Sequence, residues 1–258
     1  MIHSSAVIED GATLGEGVQI GPFAHVGPEV MLGDRVELKA HAVVTGHTEV
    51  GPETVIFQHA VVGEIPQDLK FKGEKTRLIV GARNRIREGA TMNTGTTGGG
   101  GITRVGDDCL FMTGSHVGHD AQVGNRVVVA NQAAIAGHCV IGDDVVIGGL
   151  CGIHQFVRIG HGAIIGAVSM VTKDVMPYGL VQGSRGELDG LNLVGLKRKG
   201  VERSEITALR AAYAALRQGE GTFLDRVGRL REESDSPRVA EICAFLLEET
   251  DRSFLTPK

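Results

Sequence analysis

The sequence predicts a mainly β fold, a parallel β-helix of hexapeptide repeats with a C-terminal α-helical domain. An aliphatic residue returns every six positions over 2–62, at 80, 86 and 92, and over 105–171; all 26 are Ile, Leu or Val except Met92 and Phe111. Gly follows 14 of them, as in Leu14-Gly15 and Val117-Gly118. The position four after each aliphatic is usually small or β-branched, as at Ala24, Ala60, Ser115 and Ala133. An α-helix repeats near 3.6 residues and a flat strand at 2, so a period of six calls for a short-repeat coil.

Residues 1–178 are assigned to this coil. In each hexad the aliphatic and the small residue two places before it point inward, and the residue between them points out. The Gly and its neighbours turn the corner. Three strands and three corners give an 18-residue triangular coil, and stacked coils pair in parallel at about 4.8 Å. The period breaks over 63–79 (GEIPQDLKFKGEKTRLI) and 93–104 (NTGTTGGGGITR), which read as loops leaving the prism. Loops on a rigid repeat are common places for binding groups. Periodicity ends near Met176-Pro177, 179–189 reads as a linker, and 190–258 reads as helical. Ser204 can cap a helix with Ile206, Leu209, Tyr213 and Leu216 on one face. Thr222 opens a second with Leu224, Val227 and Leu230, and Ser236-Pro237 a third before Ile242, Phe245 and Leu246.

Composition narrows the function classes. Only 4% of residues are aromatic, Trp is absent and 38 residues are Gly, so the core must be built from aliphatics in narrow layers. A net charge of -5 gives no general nucleic-acid or membrane signature. No apolar run follows Met1, and no stretch approaches the roughly 18–20 apolar residues of a membrane span. Cys109, Cys139 and Cys151 occupy the small-residue slot of a hexad and read as core thiols. A cytoplasmic, reducing location is expected. Leu110, Val128, Val146 and Ile164 lie 18 apart and should stack on one outer face. That apolar stripe predicts a contact surface, against another subunit or under the helical domain.

The 18-residue period also groups histidines. His119 occupies one corner, His138 stands one past the next equivalent position, and His154 one before the third. Two coil rises put all three within about 10 Å along one edge. His116 lies on the strand just before that corner. Such an edge can hold zinc through neutral imidazoles or act as a general base; no zinc-triad spacing is present. Asp120 is placed to orient an imidazole, and Gly137, beside His138, to offer a backbone N–H to an oxyanion. No Ser or Cys stands in an activating motif, which favours direct transfer from an activated donor. That chemistry needs no metal and no cofactor.

Four segments carry a more specific resemblance: GEIPQDLKFKGE (63–74), GSHVGHDAQVGN (114–125), GIHQFVRIG (152–160) and GLNLVGLKRKG (190–200). Together, in order along the chain, they resemble the bacterial acyl-ACP–UDP-N-acetylglucosamine O-acyltransferases, whose reaction opens lipid A biosynthesis. The resemblance implies a left-handed coil, although parallel crossovers are usually right-handed, and a homotrimer with active sites between subunits. It implies His119 as general base for the glucosamine 3-hydroxyl, Asp120 as its partner, and Gly137 as oxyanion donor. The donor would be an (R)-3-hydroxyacyl chain on acyl carrier protein. Asp68, Lys70, His116, His138, His154 and Gln155 match substrate-lining positions; Asn192, Arg198 and Lys199 match residues at the nucleotide end of the UDP-sugar. Asn93-Thr94 stands where many members carry His-Arg, Val194 replaces a frequent acidic residue, and Lys199 a frequent Arg, which removes bidentate geometry. These departures leave a 3-amino UDP-sugar as an alternative acceptor. An acetyl-CoA-dependent hexapeptide acetyltransferase and a non-catalytic scaffold are the other readings.

Overall fold

A computed structural model describes all residues, 1–258. Two-residue strands recur at the hexad period and sort into three sheets of nine, eight and ten strands, the faces of a triangular prism, parallel throughout except for one antiparallel strand ending the ten-stranded sheet. Their register is the predicted 18: His116 pairs with Ala134 and Ala134 with Gly152, while Val117, Ile135 and Ile153 align beside them. Inward residues such as Ile135, Ile147 and Ile165 are buried and form one continuous core along the prism.

The corners differ in detail from expectation. The residue three after the aliphatic holds the left-handed conformation, and it is usually not glycine: Arg35, Glu53, Asp120, His138, Asp144 and Val168 all have φ between 55° and 62°. This conformation costs a non-glycine residue roughly 1–2 kcal/mol. Burying a Val, Leu or Ile contributes about 1.5–3 kcal/mol, so each hexad's ladder residue offsets its own corner. The glycine directly after the aliphatic serves stacking instead. A Cβ at Gly118 would stand 2.8 Å from the Gly137 nitrogen, and one at Gly148 2.6 Å from that of Ala167.

Both interruptions leave from the same corner. Strand Val61–Glu64 reaches Arg77–Val80 through the first loop, and strand Thr91–Asn93 reaches Ile102–Val105 through the second. Each connects the nine-stranded to the eight-stranded sheet. The four cysteines are free and buried, and burial pushes the Cys109 thiol up to about 11.

The expected linker at 179–189 is ordered strand. Gly179–Gln182 adds in parallel to Ile164–Ile165 and turns back into Glu187–Leu191, which pairs with it antiparallel. The hairpin was invisible to the hexad period because its return strand runs the other way. Four helices follow: α1 (Leu193–Arg198), α2 (Arg203–Arg217), α3 (Phe223–Glu233) and α4 (Pro237–Leu247). Thr222 and Ser236 cap α3 and α4 as expected. Ser204 is not the cap of α2, which begins at Arg203 after Glu202. Leu209, Val227, Ile242 and Cys243 are buried where these helices meet.

The chain end returns to the prism. Ser253 accepts a hydrogen bond from the Asp174 N–H, and Asp174 and Leu188 form bridges to Phe254 and Pro257. The fully buried Asp174 carboxylate accepts from Arg158 Nε at 2.7 Å and from Arg252 Nε at 3.2 Å. The Arg158 guanidinium also lies over the Phe245 ring, 4.7 Å from its centre.

Candidate active site

The predicted histidine edge is the corner from which both loops emerge. His119 follows strand His116–Val117 and is partly buried; Asp120 is buried beside it in the left-handed corner position. His119 Nδ1 lies 2.8 Å from Asp120 Oδ2. A carboxylate only accepts, so Nδ1 carries the proton and Nε2 keeps a free lone pair. That is the arrangement of an oriented general base.

Two threonines absent from the sequence reading fix Asp120, one at its carboxylate and one at its backbone. The Thr96 N–H donates to Asp120 Oδ1 (2.8 Å) and the Thr96 hydroxyl to Oδ2 (2.6 Å). The Asp120 N–H donates to Thr103 Oγ1 at 2.7 Å. Thr96 has no periodic or motif signature because loop shape alone brings it there, whereas Thr103 occupies the inward slot two places before Val105 on strand Ile102–Val105.

His138 stands one coil further on. Its ring meets that of His119 edge-on, with centroids 4.9 Å apart, and stacks on Phe156 at 4.4 Å. His138 Nδ1 is 3.7 Å from Asp120 Oδ2, beyond a hydrogen bond. Burial holds His138 below the ordinary imidazole value, against the opposing pull of Asp120; Asp68 and Lys70 are near enough to act on its charge. His116 accepts or donates at Nδ1 to the Thr91 hydroxyl (2.8 Å), and burial, with His119 nearby, lowers it too. His154 and Gln155 are exposed at the next corner.

Nitrogens of His119 and His138 and an Asp120 oxygen lie within 4.8 Å of one another, a spacing a metal could use. Both Asp120 oxygens are engaged by Thr96 and His119, so the donor set fits an oriented base better than a metal cage.

Gly137 is buried at the corner between His119 and His138, and its N–H finds no acceptor in the chain. The equivalent amides of another edge do: those of Ala82, Asp107 and Asn125 donate to Asp107, Asn125 and Asp143 side chains at 2.8, 2.9 and 2.9 Å. The histidine edge lacks this ladder of acceptors, and its amide is left available.

The tail residues lie elsewhere. Lys199 at the end of α1 pairs with Asp144, on the edge between the eight- and ten-stranded sheets, and Arg126 holds the same carboxylate through Nε at 2.8 Å. Arg198, Lys199, Asn192, His161, Tyr178 and Arg238 line a cavity of about 420 Å³ there. The Asn192 amide is used internally. Its Oδ1 caps α1 by accepting from Gly195 N–H, and its Nδ2 donates to the Gly162 carbonyl. Asn192 therefore fixes α1 rather than presenting a free amide. The structure thus gathers His116, His119, Asp120, Gly137, His138, His154 and Gln155 on one edge, with Asp68 and Lys70 above it, and puts Asn192, Arg198 and Lys199 on another.

Comparison with known proteins identifies the family and the fold. The family model described as "Bacterial transferase hexapeptide (six repeats)" matches residues 11–46 and 102–137. That described as "Udp N-acetylglucosamine O-acyltransferase; Domain 2" matches 174–255. The acyl-[acyl-carrier-protein]–UDP-N-acetylglucosamine O-acyltransferase of Paracoccus denitrificans is 62% identical over 203 residues, 79% of this chain and 77% of that one. The protein of that name from Rhizobium etli is 51% identical over 257 residues, covering 99% and 94%. A crystal structure of a UDP-N-acetylglucosamine acyltransferase superposes with a TM-score of 0.96 at 41% identity, covering 100% of this chain and 99% of that one. The chain belongs to the acyl-[acyl-carrier-protein]–UDP-N-acetylglucosamine O-acyltransferase family.

Proposed function

We propose that the histidine edge transfers an (R)-3-hydroxyacyl chain from acyl carrier protein to the 3-hydroxyl of UDP-N-acetylglucosamine, the first step of lipid A biosynthesis. The observation that carries the mechanism is His119, held at Nδ1 by Asp120 with Nε2 free, one coil from the unused Gly137 N–H. The sugar hydroxyl gives its proton to Nε2 as its oxygen bonds to the thioester carbon. The Gly137 amide receives the oxyanion that forms. Collapse breaks the C–S bond, and the carrier's sulfur leaves with the proton from the His119 imidazolium. Burial disfavours the charged form of His116 and His138, which limits their repulsion of that imidazolium.

The two residue groups lie on different prism edges, so the site is read as shared between copies. One subunit supplies the base, and a neighbour supplies Arg198 and Lys199 to meet the diphosphate. The outer column Leu110, Val128, Val146 and Ile164 is in register and half-buried within one chain. Such a stripe suits the contact face of a homotrimer. A cytoplasmic location accords with this carrier and sugar nucleotide, and no helix is long and apolar enough to cross a membrane.

Asn93 and Thr94, which depart from the common family pattern, are buried and bond the two loops together. Asn93 Nδ2 donates to the Ile65 carbonyl (2.9 Å), and Thr76 donates to the Thr94 hydroxyl (3.2 Å). The test is single-turnover transfer from a panel of 3-hydroxyacyl carrier proteins to UDP-N-acetylglucosamine and its 3-amino analogue. Ester formation on the hydroxyl sugar is expected; amide product alone would reassign the acceptor, and no product with either would overturn the reading.

A further inference from the structure

We propose that Thr96 is a positioning residue that extends the His119–Asp120 pair into the 93–104 loop, making the loop's shape a determinant of the base. This rests on His119 acting as the base. The Thr96 hydroxyl and the His119 imidazole donate to the same oxygen, Asp120 Oδ2, while the Thr96 N–H takes Oδ1. The carboxylate is thereby fixed in the plane that aims Nδ1, and part of its charge is drawn toward the loop.

The loop is built for this approach. A side chain on Gly99 would enter the Asp120 carboxylate, and a Cβ on Gly95 would stand 2.8 Å from its Oδ1. The wrap is closed on itself, since the Gly101 N–H donates to the Thr96 carbonyl at 2.7 Å. It is also tied to the first loop. Gly95 donates to the Arg77 carbonyl, Arg77 to that of Gly101, and Thr94 to that of Glu64. Thr96 therefore joins the carboxylate behind the base to a loop bonded to Glu64 and Arg77, the residues that flank the loop carrying Asp68 and Lys70. The other titratable groups facing this centre are His116, His138, Asp68 and Lys70.

Removing the hydroxyl has a predictable sign. Oδ2 then keeps more negative charge, which favours the protonated imidazole, so a higher pH is needed to free Nε2. Thr96→Val keeps the side chain's shape and the backbone N–H. It should lower kcat roughly 10-fold, leave KM for both substrates within about 2-fold, and move the acidic limb of the kcat/KM profile to higher pH. Thr96→Ser should restore both rate and profile. Thr96→Ala supplies the same reading should the valine variant fail to fold. NMR titration of the His119 ring in wild type and variant reads the same shift without any acceptor. A variant with unchanged kcat, profile and ring titration would overturn the role, as would a serine variant as impaired as the valine. Loss of transfer by the wild type itself would instead overturn the proposed reaction.

Discussion

A Cβ placed on Gly137 would stand 2.6 Å from Cε1 and 2.7 Å from Nε2 of His119. The absence of a side chain in one coil is therefore what lets the ring in the preceding coil lie flat against it. Gly137→Ala should displace the imidazole and disturb the free amide together. We expect a fall in single-turnover rate of at least ~10²-fold. A rate within a few-fold of wild type would separate Gly137 from the chemistry.

Division of the site over two prism edges predicts complementation. His119→Ala and Arg198→Ala should each be poorly active alone. Unfolded and refolded as an equal mixture, they should regain about a quarter of wild-type sites, the fraction combining an intact base edge with an intact partner edge. Activity no greater than the sum of the separate variants would place both groups in one subunit's site.

Burial of His116 and His138 makes stability depend on pH. Both are held below the ordinary imidazole value of about 6.5. Below that value the unfolded chain binds protons that the folded chain refuses. Stability is thus fully present above about pH 6.5 and declines as pH falls toward the lowered folded values. In His116→Gln the drop in Tm across this window should be smaller than in wild type. An unchanged drop would show that His116 does not contribute to it.

Asp174 joins the last coil to the returning tail. Its carboxylate is enclosed by Arg158 and Arg252 and also accepts from the Arg158 backbone N–H at 2.9 Å. Removing one partner from a buried pair leaves charge uncompensated, so Asp174→Ala should cost about 3 kcal/mol in denaturant unfolding. A cost below about 1 kcal/mol would mean that the tail and solvent already screen the arginines.

Much of this architecture can be read from spacing, because each coil repeats the same steric problem. A six-residue period puts Ile135 inside, and its multiple of 18 puts His119, His138 and His154 on one edge. The reason so many of the aliphatics are followed by glycine cannot be read this way, since it depends on the neighbouring coil. The Thr96 clamp on the Asp120 carboxylate is likewise set by a loop with no period. Asn192 misleads for a different reason: its residue type suits ligand contact and helix capping equally, and only the Gly195 and Gly162 bonds show its amide engaged. The hairpin at 179–191 escaped because antiparallel return breaks the repeat while preserving the sheet.

Both insertions depart from one corner, and the coil resumes its register after each: Arg77–Val80 pairs with Ile102–Val105, and Arg104 and Val105 with Gln122 and Val123. The insertions therefore add groups above the histidine edge without rotating any downstream residue from one face to another, so the outer face available for assembly does not depend on the loops that shape the site.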